Sequence, residues 1–218
     1  MTPHSFYEKV VKPCVNLNDW VELISDARHP FDKWYAVEWV ATTLGEGETA
    51  QRKVSNAYYN VSTEVMKEAI LNTIDKERCA IWFTADINTY AAMNRAMLIM
   101  PREPNPLTSL FGTELLRSKS EMYRSGSSIP NHAMLFIAAH STDKEITKWR
   151  VENSWGTKSL AKGHLTMSSD WFDYFIGCVA VPKSVLKSKS SIDTFKKESI
   201  TWLPYWDVYG PVAKTPFH

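Results

Sequence analysis

His132 and Asn153 are the two residues whose types and spacing suggest chemistry. An imidazole can take the proton from a thiol and later return it to a leaving amine. A neutral amide can hold that ring in one tautomer without drawing the proton away. Together they are the base half of a Cys-His-Asn constellation. Trp155, two residues beyond the asparagine, is placed to roof a hydrogen bond between them and keep water from it. The constellation also demands a nucleophile, and the chain offers three cysteines. Cys14 follows Pro13 near a helix start, yet neither a glutamine nor an apolar helix accompanies it. Cys79 and Cys178 sit in apolar, strand-like runs, where burial raises a thiol's pKa and makes it inert. Both are expected in the core. His4, His29, His140, His164 and His218 show no such pairing and read as ordinary surface or core side chains.

Two strands must bring the pair together. Residues 132–139 are apolar throughout, as expected of a central strand covered on both faces. Residues 141–145 make a polar turn. Residues 146–153 then alternate, with Trp149, Val151 and Asn153 on one face and Lys148, Arg150 and Glu152 on the other. Such a hairpin sets His132 at the start of one strand and Asn153 at the end of its partner. Antiparallel neighbours lie under about 5 Å apart, so the two ends can meet.

Around the hairpin the pattern is mixed. Thr2-Pro3 caps a short amphipathic helix over Phe6, Val10 and Val11. Strands are expected at 20–24 and 34–40, with a turn at Gly45 and Gly47. Ser62 opens the clearest helix, whose apolar face takes in Val65, Met66, Ala69, Ile70 and Ile74. A buried strand follows over 79–83, and 88–128 reads as largely irregular. Gly156 and Gly163 bracket a loop ahead of a short strand at 164–167. Ser169-Asp170 caps an aromatic helix, and a last strand over 177–181 stops at Pro182. Residues 1–218 form a single domain, with 200–218 as an extended C-terminal tail.

Bulk composition excludes several classes of function. With 25 basic and 24 acidic residues, the net charge of +1 leaves no electrostatic footprint for nucleic acid or an anionic membrane. The local exception, Pro182 to Lys197, reads as a solvated loop. No stretch is long and apolar enough to span a bilayer. Three cysteines make no disulfide framework, no His/Cys set has metal-ligand spacing, and no glycine-rich phosphate loop occurs, so no cofactor is expected. Without a signal peptide the chain reads as cytoplasmic, and the sequon Asn60-Val61-Ser62 as unglycosylated.

Asn131-His132-Ala133-Met134, followed by Lys148-Trp149-Arg150-Val151-Glu152-Asn153-Ser154-Trp155-Gly156, resembles the papain-like cysteine peptidases. The long form of the asparagine motif is similar to the bleomycin hydrolase family of cysteine aminopeptidases. The likeness extends through Thr2-Pro3 with Phe6-Tyr7 and Val11-Lys12-Pro13. It continues in Tyr35-Ala36-Val37-Glu38, Ala80-Ile81-Trp82-Phe83 and Leu203-Pro204-Tyr205-Trp206-Asp207. The resemblance implies an α+β fold, the antiparallel, barrel-like sheet half of the papain-like fold with decorating helices. It also implies that His132 is the general base and Asn153 its orienting amide.

The family's nucleophile lies in a Q-x-x-x-x-x-C-W pattern on a separate lobe, and these 218 residues hold no such pattern. The papain-like spacing puts the cysteine about 130–150 residues before the histidine, which from His132 falls at or before Met1. The chain alone is therefore expected to be inactive, a non-catalytic structural or binding subunit of an assembly. The alternative is a complementing or truncated peptidase whose cysteine comes from another chain or another segment. In either case a protein partner is expected over the face that the missing lobe would cover, with self-association a further way to cover it.

Overall fold

The computed structural model of the chain describes residues 1–37, 57–88, 91–92, 95–100, 106–112, 118–142, 145–159, 161–187, 192 and 199–210. The expected strand end at 38–40, the glycine turn at 45–47, much of the basic run and residues 211–218 lie outside them.

Among the described residues eleven strands build one sheet. In chain order they are β1 (Trp20–Ile24), β2 (Lys33–Val37), β3 (Ala57–Asn60), β4 (Ile81–Ala85), β5 (Ala91–Ala92), β6 (Met97–Leu98), β7 (His132–Thr142), β8 (Glu145–Glu152), β9 (His164–Ser168), β10 (Ile176–Pro182) and β11 (Ile200–Leu203). Their order across the sheet is β11-β2-β3-β1-β10-β4-β7-β8-β9-β6-β5. The run β1-β10-β4-β7-β8-β9 is antiparallel throughout. Parallel pairs occur towards the margins, at β1/β3, β11/β2 and β6/β9. Helices α1 (Pro3–Phe6), α2 (Thr63–Asn72), α3 (Pro106–Phe111), α4 (Lys119–Ser125) and α5 (Ser169–Phe175) dress it. The architecture is α+β.

The core follows from alternation. On β8, Trp149 and Val151 are buried while Lys148, Arg150 and Glu152 face out. Trp149 packs between Phe136 of β7 and Phe172 of α5, at centroid distances of 5.1 and 5.2 Å, and Phe83 of β4 stacks on Phe136 at 3.9 Å. Along α2 and into the π-helical turn that continues it, the buried stripe is Met66, Ala69, Ile70 and Thr73. That is an i, i+3, i+4, i+7 row, and Val65 lies about 100° off it. Val65 is exposed for this reason, contrary to its expected place on the apolar face.

Other expectations need correction. The N-terminal helix forms, capped by Thr2 and continued by a π-helical turn over Tyr7–Val11. Phe6 and Val10 are nonetheless exposed, because the helix packs neither against the sheet. β7 is not covered on both faces: Met134 and Phe136 are buried, but Ala133 and Ala138 are exposed and Leu135 and Ile137 only half-buried. Cys79 precedes β4 and is half-buried, its Sγ 3.3 Å from the Ala80 carbonyl. Residues 88–128, expected to be irregular, contain β5, β6, α3 and α4. α4 carries a capping box between Ser118 and Glu121 and ends at Gly126 with φ 67°. The Ser-x-x-Glu…Gly signal for it stands in the sequence. In the C-terminal segment β11 runs parallel beside β2, and 204–210 close in two turns.

Asn60 of the sequon is fully buried. Its amide nitrogen donates to the carbonyls of Asp26, His29 and Pro30, and its oxygen accepts from the Asp26 N–H. A glycan on that nitrogen is incompatible with the fold.

Candidate active site

His132 opens β7 and Asn153 follows β8. The β7–β8 register slips at Phe136/Ala138 and again at His140/Ser141. Below the first slip Leu135 faces Glu152, so the two site residues lie at the same end of the hairpin. The His132 Nε2 is 3.0 Å from the Asn153 Oδ1. That oxygen also accepts the Ser154 backbone N–H at 2.8 Å, which fixes the amide's orientation. An acceptor facing Nε2 requires Nε2 to carry the proton. The lone pair is then on Nδ1, which makes no hydrogen bond among the described residues. Asn153 is itself buried, its N–H donating to the Gly163 carbonyl at 2.9 Å. Trp155 lies tilted by 52° against the imidazole at 5.6 Å between centroids and is 48% exposed. The amide is held by the fold, while the ring has an open side.

The strand that carries His132 is fixed from its neighbours. Ala85 of β4 pairs with His132, and Ile176 of β10 pairs with Ala85. Pro130, two residues before the histidine, packs on Gly177 so closely that a Cβ there would sit 2.5 Å from the proline Cγ. It would also lie 2.7 Å from the Thr84 Oγ1, the acceptor of the Cys178 N–H. Gly177→Ala is therefore expected to destabilise the chain by about 1–3 kcal/mol and to shift the Pro130–His132 segment. Urea unfolding reads the first effect and the His132 ring resonances the second. An unchanged midpoint with unchanged resonances contradicts it.

All three cysteines are described, and none reaches His132. Cys178 is buried on β10, its Sγ 3.6 Å from the Thr84 Oγ1. β10 is two strands from β7, about 10 Å at the usual strand spacing. Cys79 lies six residues before Ala85, about 20 Å along an extended chain. Cys14 is exposed, and its segment leads into the Trp20 end of β1, whereas the Ile24 end lies towards the His132 edge. Among the described residues no His/Cys/Asp/Glu group is arranged to hold a metal ion.

Near the same end of the sheet lies a buried polar cluster that sequence reasoning missed. Arg28 bonds both oxygens of Asp26 and both of Asp207, with closest approaches of 2.7 and 3.0 Å. Asp26 is wholly buried and Asp207 nearly so. Burial works against the guanidinium charge, but the two carboxylates outweigh it and hold Arg28 more firmly protonated than usual. Lys119 donates to the Ile176 carbonyl at 2.7 Å, capping the C-terminal end of α5, and burial pushes its ammonium down to about 8. Burial likewise raises Tyr123 and Tyr209 above the ordinary phenol range. Arg28 and Asp207 are 179 residues apart, and no local pattern links them.

The model of the Peptidase C1-like family matches residues 1–210. Aminopeptidase C of Lactobacillus delbrueckii subsp. lactis is 31% identical over 98% of this chain, and human bleomycin hydrolase is also 31% identical over 98%. The chain spans about half the length of these relatives, 45% and 46%. Among solved structures, that of PepW from Lactobacillus rhamnosis HN001 superposes with a TM-score of 0.76 at 26% identity, over 95% of this chain and 44% of that one. The asparagine motif, the hairpin that carries it and these matches have one explanation: the chain belongs to the Peptidase C1-like family.

Proposed function

We propose that the chain supplies the base half of a cysteine aminopeptidase site, with the thiol contributed from outside these 218 residues. One observation carries this reading: Asn153, oriented by the Ser154 N–H, holds the His132 Nε2 proton and leaves Nδ1 open. Nδ1 is the atom able to accept a thiol proton and return it to a leaving amine. The aminopeptidase class is suggested by the names of the relatives. Alone the chain does not turn over substrate, for want of a nucleophile within reach. All three cysteines are free, which suits a reducing compartment such as the cytoplasm.

A second reading, a purely structural or binding subunit, is favoured by the open face of the sheet. Trp82 of β4 is 41% exposed beside its cross-strand neighbour Leu135, and this apolar face is suited to a protein partner. Both readings call for such a partner, and they differ in whether it brings a thiol.

The test is to capture the native complex through a tag on this chain and assay hydrolysis of aminoacyl-coumarins before and after iodoacetamide. Thiol-dependent hydrolysis in the complex supports the first reading. A stable complex without it overturns that reading and leaves the structural one.

A further inference from the structure

We infer that Asp86 is a positioning residue for His132, acting through Asn131. Asp86 follows the last residue of β4 and is only 3% exposed, yet it forms no ion pair among the described residues. Its N–H is bonded to the Phe175 carbonyl at 3.0 Å, so its backbone is tied to the end of α5. Its Oδ1 takes two donors, the Asn88 N–H at 3.0 Å and the Asn131 Nδ2 at 3.1 Å.

Asn131 is exposed, but three bonds to the consecutive residues Ala85, Asp86 and Ile87 hold it. Its N–H donates to the Ala85 carbonyl at 3.0 Å, its Nδ2 to Asp86, and its Oδ1 accepts the Ile87 N–H at 3.2 Å. This is the residue immediately before His132. His132 is the first ladder residue of β7, and on its N-terminal side the chain is held to the sheet by the Asn131 N–H on the Ala85 carbonyl and by the Pro130–Gly177 contact. The side-chain clasp from Asp86 adds to these two contacts. Loss of the clasp leaves residue 131 held by its backbone bond to the Ala85 carbonyl and loosens it. The imidazole then moves relative to Asn153, which is anchored separately through Gly163 and Ser154. Site residues must be held to within about half an ångström to work.

The importance of Asp86 for turnover rests on His132 being the base, but the ring geometry is measurable without turnover. The experiment is long-range ¹H–¹⁵N NMR of the histidine rings in the purified chain, for the native sequence, Asp86→Ala, Asp86→Asn and Asn131→Ala. The native chain is expected to show His132 with its proton on Nε2. Asp86→Ala and Asn131→Ala are expected to mix the tautomers and speed Nε2–H exchange about tenfold, the loss of one hydrogen bond's net worth. Asp86→Asn keeps an oxygen for both donors and is expected to restore the native signature. Asn131→Ala changes an exposed side chain and keeps the test open if Asp86→Ala does not fold. A native His132 signature in Asp86→Ala or Asn131→Ala overturns the inference, as does Asp86→Asn behaving like Asp86→Ala. In the captured complex, Asp86→Ala is expected to lower kcat with little change in KM. A complex without hydrolysis tells against the proposed reaction and leaves the ring measurement intact.

Discussion

His132→Ala is expected to lower thiol-dependent hydrolysis by the captured complex by on the order of 10⁴-fold or more, with the complex itself intact. Without the imidazole nothing takes the thiol proton in the ground state or returns one to the leaving amine. Asn153→Ala is expected to cost one to two orders of magnitude less, because the base is retained and only its tautomer and direction are released. On the proposed reading the ranking follows from geometry: the Asn153 Oδ1, 3.0 Å from the His132 Nε2, accepts its hydrogen bond while the Ser154 N–H holds the amide in place. Initial rates on aminoacyl-coumarins, normalised to captured complex, measure both. Unchanged rates in His132→Ala would show that the activity belongs to the partner alone.

Arg28→Ala is expected to destabilise the fold by about 3–5 kcal/mol, because it leaves a buried carboxylate without its counter-charge. Asp26 has no exposed surface and Asp207 little, so neither charge can be handed to water. In a chain of this length that is a fall of about 2–4 °C in Tm for each kcal/mol. Arg28→Lys is expected to recover only part of the loss, since an ammonium cannot reproduce the fork that engages Asp26 and Asp207 together. The C-terminal turns at 204–210 are anchored by the same bond, so limited proteolysis there should accelerate alongside the fall in stability. Urea unfolding of Arg28→Ala within about 1 kcal/mol of the native chain would place the cluster among the weak surface pairs.

Legibility from sequence followed the range of the interaction. The β7–β8 hairpin, the Ser62 cap of α2 and the aromatic helix α5 rest on alternation, capping and 3.6-residue spacing within a few turns. Even α4 announced itself through Ser118, Glu121 and Gly126, though it was read as irregular. The coverage of β7 was misjudged because apolar residues on both faces imply two covered faces only if something lies on each. Here Leu135 and Trp82 meet solvent. The burial of Cys79 was misjudged because β4 begins two residues after it.

By itself the sequence singled out one imidazole and one amide as a candidate pair. His132 stands in one short segment and Asn153 and Trp155 in another, and the strand pattern between them places the pair at one end of a hairpin. Only the tertiary structure decided which imidazole nitrogen is tied up and which is open, that neither Cys14, Cys79 nor Cys178 reaches it, and that Asp86, Arg28 and Asp207 hold the surrounding frame. The physical reason is that a motif specifies side-chain types and local spacing. Strand order, register slips and pairings across 45 to 179 residues are set by how the whole sheet packs.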